Sequence, residues 1–126
     1  MKQKKLINKN VIISAAADGI GWAIAKECMS QGAIVYITDK NKIALEKISK
    51  HSLFEKQFYL QLLNTNNIKD VKNYFSKLKL KKLDALINNV GISGPTGRLE
   101  NLNLNDWKET IDININSHFY FNKYSI

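Results

Sequence analysis

The sequence predicts an α/β fold, a doubly wound parallel sheet that breaks off after about four strands, in the order 3-2-1-4, and the start of the next helix. Three observations predict it. Short apolar runs alternate with longer stretches whose apolar residues recur at helical spacing. A glycine-containing turn joins the first run to the first helical stretch, and another follows the fourth run. Strands separated by helices pair in parallel, and such sheets bind ligands at the carboxyl ends of strands where the strand order reverses. The crevice is therefore expected between strands 1 and 4.

The first strand is Val11–Ala15. From Gly19 to Gln31 the residues Ile20, Ile24 and Cys28 recur every four positions, which predicts a helix with that stripe inward; Gly32 stands where a C-cap belongs. Ala33–Thr38 reads as the second strand, ending at Asp39. Asn41 is an N-cap for a helix carrying Ile43, Ala44 and Ile48. Phe58–Leu63 is the third strand, and Asn66 or Asn67 caps a helix with Ile68, Val71, Phe75 and Leu78 on one side. A fourth strand, Leu83–Asn88, runs into Asn89-Val90-Gly91. After the loop Ser93–Gly97, a last helical stretch runs from about Asn105 to the end.

The 126 residues, 44% hydrophobic, fit one globular domain and argue against a disordered chain. Cys28 alone excludes a disulfide scaffold and points to a reducing, cytoplasmic setting. No apolar run reaches the roughly 18–20 residues that span a bilayer. Lys2, Lys4, Lys5 and Lys9 before Val11–Ala17 imitate a signal peptide, but that run is short and passes directly into Asp18-Gly19-Ile20-Gly21. The net charge of +8 raises the question of a nucleic-acid partner. Arg98 is the single Arg, and stacking aromatics are not clustered with the lysines, so none is expected. His51 and His118 lack the spacing of a metal site or a catalytic triad, and no metal is expected.

Ser14 to Gly21 leave a strand and enter a helix. Small residues let a diphosphate approach the backbone, and the helix N-terminus supplies N–H donors and partial positive charge. Asp39 stands 18 residues beyond Gly21, where a carboxylate accepts hydrogen bonds from the adenosine ribose hydroxyls and repels a 2′-phosphate. That position favours NAD over NADP; the plainer role is an acidic cap at a strand end.

These motifs resemble the N-terminal half of a short-chain dehydrogenase/reductase. The family's Thr-Gly-x-x-x-Gly-Ile-Gly appears as Ser14 to Gly21, with Ser14 for Thr and Ala15 for the first Gly. Its Asn-Asn-Ala-Gly appears as Asn88-Asn89-Val90-Gly91. The resemblance implies a partial NAD(P)-binding Rossmann domain over residues 1–126. Asp18, Gly19 and Ile20 would lie along the diphosphate, with Ser14 and Gly21 shaping the turn. Asn64-Thr65 would meet the adenine, Asn88 would brace the sheet, and Asn89, Val90 and Gly91 would flank the adenosine ribose. Trp107 followed seven residues later by Asn114 matches the family's last-helix pattern, making Asn114 the catalytic Asn that holds a water in a proton relay; Asn116 is the nearby decoy.

The same resemblance implies hydride exchange between the nicotinamide and a small carbonyl or secondary-alcohol substrate. The family's Ser and its Tyr-x-x-x-Lys pair follow that Asn, whereas this sequence stops at Ile126. Tyr120 and Lys123 are three apart, and neither fits the pattern. The expectation is a truncated dehydrogenase with little activity alone, whose last helix leaves Trp107, Ile111, Ile115 and Phe119 without a packing partner. Full-length relatives commonly form homo-oligomers. The alternative is a non-catalytic dinucleotide-binding or interaction module.

Overall fold

The computed structural model describes residues 3–51 and 58–126; Lys2, counted among the N-terminal lysines, lies outside them. The strands are β1 (Asn10–Ser14), β2 (Ile34–Asp39), β3 (Phe58–Leu62) and β4 (Ala85–Ile87). The helices are α1 (Gly19–Ser30), α2 (Lys42–Ser49), α3 (Ile68–Lys77), α4 (Leu104–Ile111) and α5 (Ser117–Ser125). A single 3₁₀ turn, Leu99–Asn101, precedes α4, and a π turn, Asp112–Asn116, joins α4 to α5.

The sheet is parallel with order β3-β2-β1-β4, as the pattern of runs predicts. Ser14 pairs with Thr38, and Ile13 with both Ile37 and Ile87, so the carboxyl ends of β2, β1 and β4 come level. Side chains alternate between two faces. Val11, Ile13, Val35 and Ile37 pack with Ala25, Met29, Leu45 and Ile48 from α1 and α2. Ile12 packs on the other face with Val71 of α3 and Phe121 of α5, where the rings of Phe75 and Phe121 meet edge to face at 5.3 Å.

The inward stripe of α1 is offset by one position from the predicted one. Gly21, Ala25 and Met29 are buried, whereas Ile20 is 75% exposed and Cys28 only half-buried at the core's margin. Small Gly21 and Ala25 let the helix lie close to the sheet, and that closeness chooses the face over side-chain apolarity. Burial, with help from Glu27, pushes the Cys28 thiol up from its ordinary range. Ile43 likewise points outward, and Leu45 with Ile48 anchors α2. Asn41 and Asn67 cap α2 and α3 by accepting from the amides of Ala44 and Asp70. Gly32, at φ 92°, turns the chain after α1. On the last helix Trp107, Ile115 and Phe119 are more than half exposed, while Ile111 is half-buried.

Asp84 fastens the start of β4 to β1. Its Oδ2 accepts from the Asn10 amide at 2.9 Å, and its Oδ1 lies 3.6 Å and 3.3 Å from the ammonium groups of Lys9 and Lys82. The Asn10 amide, followed by the lysines, holds this carboxyl below the usual carboxylate range. A folded-state pKa below the unfolded one stabilises the fold above the unfolded pKa and is lost as pH falls through the folded one. Asp84→Asn should therefore lower the melting temperature at neutral pH. Melts recorded toward the acid end should show the gap to the parent chain closing.

Candidate functional site

The turns after β1 and β4 are bonded to each other directly. Ser14 ends β1 fully buried, and its Oγ accepts from the amides of Asn89 at 3.0 Å and Val90 at 3.2 Å. Asn89 returns a bond from Nδ2 to the Ala15 carbonyl at 2.9 Å. A hydroxyl on the last residue of a central strand thus sets where the neighbouring strand's exit loop lies.

The first turn carries two left-handed residues, Ala15 at φ 51° and Gly19 at φ 57°. Glycine adopts this region freely, whereas a residue with a Cβ is strained there. Gly19 opens α1, and a Cβ on it would meet nothing within 4 Å, so the space over the turn is open. Gly21 is the opposite case. A Cβ there would come 2.5 Å from Asn89 Nδ2 and 2.8 Å from the Ala15 carbonyl oxygen. Asp18 caps the helix by accepting from the Gly19 amide at 2.8 Å. The first helical bond runs from Trp22 N to Asp18 O, so the Ile20 and Gly21 amides precede the helical ladder. The half-charge of the helix N-terminus and these donors suit an anion.

A cavity of about 110 Å³ opens beside this turn, lined by Ala15, Asp39, Lys40, Leu63, Asn64, Thr65, Val90, Gly91, Ile92 and Ile113. It gathers the expected adenosine-side residues: Asp39, Asn64, Thr65, Val90 and Gly91. Ser14 and Asn89 lie behind it as braces, and Asp18, Gly19, Ile20 and Gly21 form the neighbouring helix entrance. Asp39 also takes the plainer role. Its Oδ2 accepts from the Ala17 amide at 3.1 Å and its Oδ1 from the Asn41 amide at 2.9 Å, which aims the carboxylate and leaves each oxygen a further lone pair. Lys40 stands beside it in the same wall.

Asn114 sits inside the π turn, a feature frequent at functional sites. Its Oδ1 accepts from the Ile92 amide and its Nδ2 donates to the Ile92 carbonyl, both at 2.8 Å. Asn116 instead bonds Asp112 at 2.7 Å, away from this loop. Asn88 donates to Asn122 Oδ1 at 3.0 Å, tying the end of β4 to α5. Sequence reading missed His118, whose Nε2 lies 2.8 Å from the Val90 carbonyl oxygen. The available signal was its position four residues after Asn114, on the same side of the helix. Tyr36 and Lys40 formally have Tyr-x-x-x-Lys spacing, but they are on and just after strand β2, and Tyr36 stacks on Tyr59 at 5.0 Å.

The sequence profile of the short chain dehydrogenase family matches residues 9–124. The chain belongs to that family. A 3beta-hydroxysteroid dehydrogenase of Mediterraneibacter gnavus is 31% identical, the match covering 89% of this chain and 42% of that protein. A 3-oxoacyl-[acyl-carrier-protein] reductase FabG of Rickettsia conorii is 30% identical over 96% of this chain and 48% of its own length. The structure of ElxO with NADP bound superposes with a TM-score of 0.85 at 30% identity, covering 94% of this chain and 49% of that one. A short chain dehydrogenase from Leptospira borgpetersenii with bound NAD+ shares the fold at 22% identity and a TM-score of 0.83, covering 98% of this chain and 46% of that one. The chain spans about half the length of the curated relatives it matches. Family members of this fold thus hold NADP or NAD.

Two substitutions within the turn make opposite predictions for stability. Ala15→Gly relieves left-handed strain of roughly 1–2 kcal/mol and gives part of it back in chain entropy, so urea unfolding should show a gain of about 0.5–1 kcal/mol. Gly21→Ala drives a methyl into backbone and the Asn89 amide and should cost about 1–3 kcal/mol by the same measurement.

Proposed function

We propose that residues 1–126 form a partial NAD(P)-binding Rossmann domain, the cofactor half of an oxidoreductase that interconverts a small carbonyl and a secondary alcohol. The observation that carries this reading is the convergence of the two turns through Ser14 and Asn89 onto one cavity at the strand ends. When bound, the nicotinamide would supply hydride chemistry. The chain's own residues bind and orient. Asp18, Gly19 and Ile20 would lie along the diphosphate, the Ile20 and Gly21 amides facing it, with Ser14 bracing the turn. Asn64 and Thr65 would face the adenine, and Asn89, Val90 and Gly91 would border its ribose. Asn114 would act as the catalytic Asn, fixing Ile92 through its side chain while the widened turn around it positions a water. Outside the cleft, the half-buried lone Cys28 suits a reducing, cytoplasmic setting.

Asp39 decides between the two dinucleotides in this proposal. Its carboxylate is aimed by Ala17 and Asn41 toward a cavity just large enough to admit part of a nucleoside. Two ribose hydroxyls satisfy its spare lone pairs, whereas a 2′-phosphate would bring like charge against it; NAD is therefore the preferred cofactor. Lys40 softens the preference without reversing it.

Titration of the purified chain with NADH and NADPH, followed by Trp22 and Trp107 fluorescence, tests this. NADH should bind more tightly, and Asp39→Asn should narrow the gap between the two by about tenfold, the scale of one charge-assisted contact. Tighter binding of NADPH by the unmodified chain would overturn the assignment of Asp39. Salt-sensitive binding of duplex DNA with no binding of either dinucleotide would overturn the whole reading.

A further inference from the structure

We propose that His118 is a positioning residue for the cleft, holding the peptide between Val90 and Gly91 in the orientation that a dinucleotide requires; this rests on the cofactor reading above. The case begins with an accounting of backbone partners. Residues 88–97 run from the end of β4 to the loop before the 3₁₀ turn. Among the described residues, no backbone-to-backbone hydrogen bond outside helices and strands involves any of them. Polar backbone groups in a partly buried loop need partners, and here side chains supply them. Ser14 Oγ takes the Asn89 and Val90 amides from the β1 side. From the helix side, His118 takes the Val90 carbonyl and Asn114 takes both backbone groups of Ile92.

The pattern has a geometric logic. Asn114 and His118 are four apart on the last helix, and Val90 and Ile92 are alternate residues of the loop. One helix face therefore grips alternate carbonyls of the segment laid across it. Gly91 lies between the two grips, and a Cβ there would sit 3.5 Å from Asn114 Oδ1. Val90 is held on both sides, by Ser14 at its amide and His118 at its carbonyl, and it lines the cavity together with Gly91. A carbonyl oxygen only accepts, so the half-buried ring must carry a proton on Nε2. Loss of this donor leaves the Val90 carbonyl without its partner and frees the peptide to rotate away from the cleft.

The test compares the parent chain with His118→Gln, His118→Asn and His118→Ala. A Gln side chain places an amide N–H near the position of Nε2, whereas that of Asn stops at the position of Nδ1. By NADH titration, the Asn and Ala variants should bind about five- to tenfold more weakly, the loss of one part-buried hydrogen bond, and Gln should restore most of the affinity. Nitrogen-15 spectra of the unmodified chain should show the Nε2–H tautomer of the His118 ring, a readout that does not require NADH. Equal NADH affinity in all four proteins, a Gln variant as weak as Ala, or an Nδ1–H tautomer would each overturn the proposal. Failure of the parent chain to bind NADH would overturn the cofactor reading, and the positioning role with it; an Nε2–H tautomer there would leave only the structural clamp.

Discussion

The Ser14 hydroxyl is the joint on which the site depends. A strand's last residue ordinarily hands the chain to a loop and has no further duty. Here a fully buried oxygen accepts two amides from the exit of the adjacent strand, which converts sheet pairing into a fixed distance between two turns. Gly21 makes the same junction possible from the helix side, because Asn89 and the Ala15–Ala16 backbone occupy the volume that any side chain would need. The helix N-terminus is thereby brought against the point where β1 and β4 part, and a ready-made anion site sits beside an apolar wall. Hydroxyl, glycine and amide side chain are small, and the closeness they allow is the functional property.

The two halves of the cleft are built by different means. The first turn is a backbone construction: left-handed residues, an Asp cap and the free amides of a helix start. The second is a chain segment without a ladder of its own, tied to β1 and to the last helix by side chains. The π turn at Asp112–Asn116 belongs to this second construction, since it carries Asn114 at the point where that helix meets the loop. Ala15 works against its surroundings, holding a methyl where the chain bends left-handedly and where the family's motif has glycine.

Much of this was legible in the residues. Alternation of apolar runs with helical stripes yields the strand order, and the glycines of the first turn with Asn88–Gly91 point to the cleft. Helix caps at Asn41 and Asn67 follow from simple local chemistry. What periodicity misplaced was the inward face of α1. The pattern of large apolar residues pointed to Ile20, but close approach to the sheet buries the small Gly21 and Ala25 instead. The 3₁₀ turn and the π turn were invisible, because neither has a composition that distinguishes it from ordinary helix or loop. Metal and triad spacing do not single out His118, because its partner is a backbone carbonyl, which no sequence motif marks.

A loop held by side chains has a property that a laddered one lacks. Ser14, Asn114 and His118 are far from Val90 and Ile92 in the sequence, and none of them lines the cavity wall that they hold in place. Single substitutions at such remote anchors tilt individual peptide groups by degrees while leaving the lining chemistry untouched. The shape of the recess can therefore drift independently of its surface composition, giving selection a fine adjustment on one wall and a rigid reference on the other.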